Sequence, residues 1–130
     1  GIVAHGRKNL KIRRFASIKN FTNGIYFGNV NDSLIEENTA NFNQYGFYSS
    51  SSTNNSIKNN VVYNNTASGL SLSLSSISIV QNNNFSFNDG YGMFLEGQSN
   101  NNEISNNSFK YKKSWSARVD TVSCRWNQRS

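Results

Sequence analysis

Apolar residues in this chain recur in short alternating runs rather than at helical spacing. Gly24-Ile25-Tyr26-Phe27 and Gly69-Leu70-Ser71-Leu72 set apolar side chains at every second position, as short β-strands do. No stretch shows a 3.6-residue apolar period. The runs are separated by Asn, Ser and Gly, and the separation is regular. A Gly followed by an apolar residue occurs at Gly1-Ile2, Gly24-Ile25, Gly46-Phe47, Gly69-Leu70 and Gly92-Met93, with spacings of 23, 22, 23 and 23 residues.

Registered on these glycines, the copies align further. An aliphatic residue follows at Ile12, Ile35, Ile57, Val80 and Ile104; three residues on stand Phe15, then Asn38, Asn60, Asn83 and Asn107. Two beyond come Ser17, Ala40, Val62, Phe85 and Phe109, and three further Asn20, Asn43, Asn65 and Asn88, then Lys112. A unit of 22–23 residues is too short for two packed helices. It suits one turn of a coil whose strands stack about 4.8 Å apart. The expected fold is therefore all-β, a parallel β-solenoid of about five turns over residues 1–114. A Leu-rich repeat would need closely spaced Leu around each Asn, which these copies lack.

In such a coil Asn has two uses. It tolerates left-handed backbone at bends, and stacked amides can donate to one turn and accept from the next. Asn38, Asn60, Asn83 and Asn107 are expected to form one ladder, and Asn20, Asn43, Asn65 and Asn88 a second. Inward columns would be Ile2–Ile25–Phe47–Leu70–Met93 and Ile12–Ile35–Ile57–Val80–Ile104.

The runs Ser56-Ile57-Lys58-Asn59-Asn60-Val61-Val62 and Glu103-Ile104-Ser105-Asn106-Asn107-Ser108-Phe109, each followed by or leading to the Gly-apolar step, resemble the parallel β-helix repeats of the NosD-like and pectate-lyase-like superfamily. The resemblance implies a right-handed coil. It does not select an activity, because that superfamily includes lyases, hydrolases, epimerases, surface-layer proteins and a copper-maturation factor.

Composition fits a narrow core. The 130 residues include 24 Asn and 21 Ser, with 35% hydrophobic and 15% charged residues. Disorder would bring more charge and Pro and fewer aromatics than the 13% present. One Cys excludes an internal disulfide framework and a multi-Cys zinc site. No apolar run is long enough for a membrane-spanning helix, and the first residues do not read as a signal peptide. The net charge of +6 resides at the ends: residues 1–19 carry +6, residues 20–109 carry −5 and residues 110–130 carry +5. The acidic body argues against a nucleic-acid partner. Residues 115–130 read as a basic tail or cap, and the whole as a piece of a longer solenoid with adjoining repeats or a capping partner.

Candidate chemistry is sparse. Glu36 falls between Arg13 and Lys58 on neighbouring turns and Glu37 beside Arg14, which reads as surface pairing. Glu96 shares a column with His5 four turns away, about 19 Å at strand spacing. The acidic clusters that hydrolases and lyases of the resembled superfamily use do not map onto this chain, so no catalytic residue is assigned. Copper would want Cys, Met and His together; the single His5, Met93 and Cys124 are separated, and Met93 falls in an inward column, so no metal or other cofactor is expected. Six Asn-x-Ser/Thr sequons, at Asn20, Asn31, Asn54, Asn64, Asn84 and Asn106, are a weak sign of secretion.

One column suggests recognition. Val3, Tyr26, Tyr48, Ser71 and Phe94 follow the glycines by two residues, where alternation points outward. Exposed rings beside Asn and Ser suit sugars, which offer apolar faces together with hydroxyls. Tyr26, Tyr48 and Phe94 are the candidate carbohydrate-binding residues. The expected function is a non-catalytic scaffold or polysaccharide-binding segment of an extracellular or cell-envelope protein. The alternative is part of a polysaccharide lyase, hydrolase or epimerase whose catalytic acids lie outside this chain.

Overall fold

The computed structural model describes residues 1–110 with their side chains and the backbone of strands at 117–119 and 124–127. Strands assemble into three sheets, each visited once per turn. The first contains β1 (Ile2–His5), β3 (Asn23–Gly28), β6 (Tyr45–Ser50), β9 (Leu70–Ser73), β12 (Met93–Glu96) and β15 (Ala117–Val119). The second contains β2 (Lys11–Arg13), β4 (Leu34–Glu36), β7 (Ser56–Lys58), β10 (Ile79–Gln81), β13 (Asn102–Ser105) and β16 (Cys124–Asn127). The third contains β5 (Thr39–Asn41), β8 (Val61–Tyr63), β11 (Asn84–Ser86) and β14 (Ser108–Lys110). Neighbours pair in parallel, with Ile25 opposite Phe47, Ile35 opposite Ile57 and Ala40 opposite Val62. The chain is a parallel β-solenoid.

Strand pairing passes the boundary expected at residue 114, because β15 adds to β12 and β16 to β13. The other residues of the expected basic tail lie outside the described residues.

The interior is a thin apolar column. Ile25, Phe47, Leu70 and Met93 stack from the first sheet, and Ile12, Ile35, Ile57, Val80 and Ile104 from the second, all buried. From the third come Ala40, Val62 and Phe85, with Phe109 stacked on Phe85 at 5.7 Å. The glycine column has a steric cause. A Cβ on Gly46 would collide with Val62 Cγ1 and stand 2.6 Å from the Gly69 carbonyl oxygen. Only hydrogen fits where the first sheet starts.

Each turn has four bends, and each bend has two steps. A residue with left-handed backbone comes first; a residue whose polar side chain points into the coil follows. The left-handed columns are Gly6–Asn29–Ser51–Leu74–Gly97, Asn9–Asp32–Asn54–Ile77–Asn101, Arg14–Glu37–Asn59–Asn82–Asn106 and Asn20–Phe42–Asn64–Phe87. Nine of these positions are Asn, the side chain that bears this backbone best after Gly.

The following residues form ladders. Asn38, Asn60 and Asn83 each donate backbone N–H to the side-chain oxygen of the next Asn, at 2.9, 3.0 and 2.9 Å. Their Nδ2 groups also donate backwards, to the carbonyls of Ile12, Ile35 and Ile57. Asn43, Asn65 and Asn88 repeat this at the fourth bend. Two further ladders carry serine. Ser52 N–H donates to Ser75 Oγ and Ser75 N–H to Ser99 Oγ; Ser33, Asn55, Ser78 and Asn102 alternate the two residue types. All these buried groups are paired, as a water-free interior demands.

Asn20 is not in the second ladder. Phe21 N–H, not Asn20, donates to Asn43 Oδ1 at 3.0 Å, while Asn20 is exposed at a left-handed bend with φ 68°. The cause is one extra residue at the preceding bend of the first turn. Phe15 aligns with Asn38, but Ile18 rather than Ser17 pairs with Ala40. Ile18 is the buried residue of that column and Ser17 is exposed.

Candidate aromatic recess on the first sheet

Outward residues of the first sheet stand in strict register. Tyr26 pairs with Tyr48, Tyr48 with Ser71 and Ser71 with Phe94. The Tyr26 and Tyr48 rings stack at 5.9 Å with 26° between planes. Both are half-buried, each shielding the other.

A second aromatic column lies just before the glycines, where the strands begin. Asn23 pairs with Tyr45, Gly46 N–H donates to the Ser68 carbonyl, and Gly69 N–H donates to the Tyr91 carbonyl. The column therefore reads Asn23, Tyr45, Ser68, Tyr91. Tyr45 meets Tyr48 edge-on at 5.2 Å, and Tyr91 stacks on Phe94 at 5.4 Å.

Both columns lose their ring on the same turn. Ser68 and Ser71 stand where Tyr45 and Tyr48 stand one turn before and Tyr91 and Phe94 one turn after. The result is a recess of about 280 Å³, walled by Tyr45 and Tyr48 on one side and Tyr91 and Phe94 on the other. Ala67, Ser68, Ser71 and Gly90 line its floor, and Glu96 lines one end. The walls are two strand steps apart, about 9.6 Å, leaving the depth of one ring between them.

Electrostatics at the recess follow from burial. Desolvation, then the nearby Glu96 carboxylate, hold the Tyr48 phenol above its usual value, against a hydrogen bond from Ser73 that lowers it. Tyr48 therefore stays a neutral hydroxyl at ordinary pH.

A model of the right-handed β-helix region matches residues 1–123. The chain belongs to the right-handed β-helix family. No curated protein and no solved structure matches it.

Other sequence candidates take quieter places in this right-handed β-helix. Tyr26, Tyr48 and Phe94 share one face, but Ser71 breaks the strip that would join them. Sequence reasoning passed over Tyr45 and Tyr91, whose column precedes the glycines, and did not read Ser71 as a gap. Glu36 and Glu37 engage different partners, Arg13 at 3.0 Å and Arg14 at 2.9 Å. Met93 is fully buried against Leu70 in the core. His5 is exposed on the first turn, whereas Glu96 lines the recess on the fifth. The described residues contain no group of three His, Cys, Asp or Glu able to hold a metal, and no helix long and apolar enough to cross a membrane. The Cys124 side chain lies outside the described residues.

Proposed function

We propose that this right-handed β-helix is a non-catalytic polysaccharide-binding segment of a secreted or cell-envelope protein. One observation carries the reading: two adjacent aromatic columns lose their rings on the same turn, leaving a slot one ring deep between Tyr48 and Phe94. A pyranose presents apolar C–H faces to both walls and equatorial hydroxyls to the edges. Ser68, Ser71 and the Tyr hydroxyls supply hydrogen-bond partners, and the stacked Tyr26 extends the platform along the coil axis. Because the walls belong to packed strands, binding requires little ordering of side chains, which lowers its entropic cost.

The test is affinity electrophoresis through gels containing soluble polysaccharides. The chain should be retarded, and a Tyr48→Ala, Phe94→Ala double variant should migrate freely while keeping a β circular-dichroism spectrum. Equal retardation of the folded variant overturns the reading. Release of reducing ends or unsaturated products from the same polysaccharides would replace it with the enzymatic alternative.

A further inference from the structure

We infer that the slot between Tyr48 and Phe94 selects a sugar carrying a protonated amine, so that this chain prefers a glucosamine-type glycan over neutral or uronic-acid polymers. The inference rests on the reading of the recess as a glycan site and adds the charge of its occupant.

Three features bear on that charge. First, Glu96 is the charged residue lining the recess, at its end, two residues beyond Phe94 on the outward side of β12. Among the described residues the ion pairs are Arg13–Glu36 and Arg14–Glu37, and Glu96 takes part in neither. Arg118 shares the column of Phe94 one turn later, on the far side of that ring from the slot. Second, the walls are aromatic faces. A cation midway between them stands about 4.8 Å from each by the strand spacing, inside the roughly 6 Å reach of cation–π attraction. Third, the Glu96 carboxylate is close enough to Tyr48 to oppose ionisation of its phenol, so its field reaches the wall.

A uronate would meet the opposite conditions. Its carboxylate would face Glu96 and the negative faces of the rings, with no cation on the floor of Ala67, Ser68, Ser71 and Gly90 to receive it. A neutral sugar would stack but leave the carboxylate without a charge partner. The amine of a glucosamine residue satisfies both the carboxylate and the ring faces. The chain's net charge of +6 gives this preference a clean background. Diffuse attraction favours polyanions and repels polyamines, so binding of a cationic glycan cannot arise from net charge.

The experiment is isothermal titration of the chain at physiological salt with four tetrasaccharides: glucosamine, N-acetylglucosamine, glucose and galacturonate oligomers. The glucosamine tetramer should bind at least ten-fold more tightly than the other three. Glu96→Gln, an exposed-edge change that should leave the melting temperature in place, should erase that advantage while retaining stacking with the neutral oligomers. Equal affinity for the glucosamine and N-acetylglucosamine tetramers, or an undiminished preference in Glu96→Gln, overturns the inference and leaves the glycan site standing. Absence of binding by all four overturns the site as well.

Discussion

Asn60 gives Asn83 two hydrogen bonds to a single oxygen. Its backbone N–H lies 3.0 Å from Asn83 Oδ1, and its Nδ2 lies 2.9 Å from the same atom. On its other side, Asn60 Oδ1 accepts from the Asn38 backbone, and Nδ2 donates to the Ile35 carbonyl. One buried amide thus pairs groups on the turns before and after its own. Asn60→Ala leaves the Asn38 N–H and the Ile35 carbonyl unpaired in the interior, at about 1–3 kcal/mol for each. Denaturant unfolding should show a loss of about 2–4 kcal/mol. Asn60→Asp should cost more, since the carboxylate can donate to neither Asn83 nor Ile35. Asn60→Ser should cost least, because Ser75 already serves as an acceptor in the first-bend ladder.

Asn20 and Asn43 have the same residue type and opposite roles. Asn20 supplies a left-handed bend in solvent, whereas Asn43 is buried and bonds to Phe21, Ile18 and Asn65. Asn20→Gly keeps the backbone conformation and should change stability by less than about 0.5 kcal/mol. Asn43→Gly removes an acceptor and a donor from the interior and should cost about 2–4 kcal/mol. A large loss at Asn20, measured by the same unfolding curves, would return it to the ladder.

These pairs also show what can be read from the sequence. The glycine period locates the turns, and the columns at Asn38 and Asn43 are visible because one residue type repeats at each. The ladders at Ser52 and Ser33 escape because hydroxyl and amide interchange there, so no letter repeats throughout. Asn20 was misplaced because one added residue in a bend shifts everything after it without disturbing the strands on either side. The excess of Asn has two causes on neighbouring residues, left-handed backbone at the first and inter-turn bonding at the second. Their adjacency also accounts for sequons such as Asn54-Asn55-Ser56 and Asn106-Asn107-Ser108, in which a bend Asn and a ladder Asn precede a strand Ser. Those sequons follow from the coil's register. The recess is harder to see because it consists of missing rings, and a serine among polar residues gives no signal until the columns beside it are aligned.

Ile77 holds a place suited to Asn. It occupies the bend column of Asn9, Asp32, Asn54 and Asn101 with φ 57°, and its side chain is 57% exposed. Left-handed backbone costs an L-residue about 1–2 kcal/mol, and β-branching makes the conformation rarer still. Ile77→Asn removes most of that cost and gives up little burial. It should raise stability by about 1 kcal/mol and increase the melting temperature; a lower melting temperature would contradict the bend assignment.

Tyr48 should titrate later than an unperturbed phenol. Burial first, then the Glu96 charge, raise its pKa above 10.0 in the folded chain. The unfolded chain releases this proton at lower pH than the folded chain does. The contribution to stability is therefore complete below the unfolded value, roughly 10, and is lost as pH rises through the folded value. Ultraviolet titration should show a late tyrosinate component that Tyr48→Phe removes. Glu96→Gln should move that component to lower pH without abolishing it, because desolvation remains.

Ser71→Tyr tests the recess by filling it. A ring at this position would stand one strand step from Tyr48 and one from Phe94, turning the interrupted column into a continuous stack. Each stacked aromatic pair contributes about 0.5–1.5 kcal/mol beyond its buried area, and the outward side of the strand has room because the recess is open. The folded variant should therefore keep or gain stability, read as melting temperature, while losing polysaccharide retardation in the gel. That pairing separates a glycan site from a structural gap. Removing Tyr48 could impair binding by loosening the sheet, but blocking the slot impairs it only if a ligand ring belongs there. Retained binding in a stable Ser71→Tyr variant would place any glycan contact elsewhere on the coil.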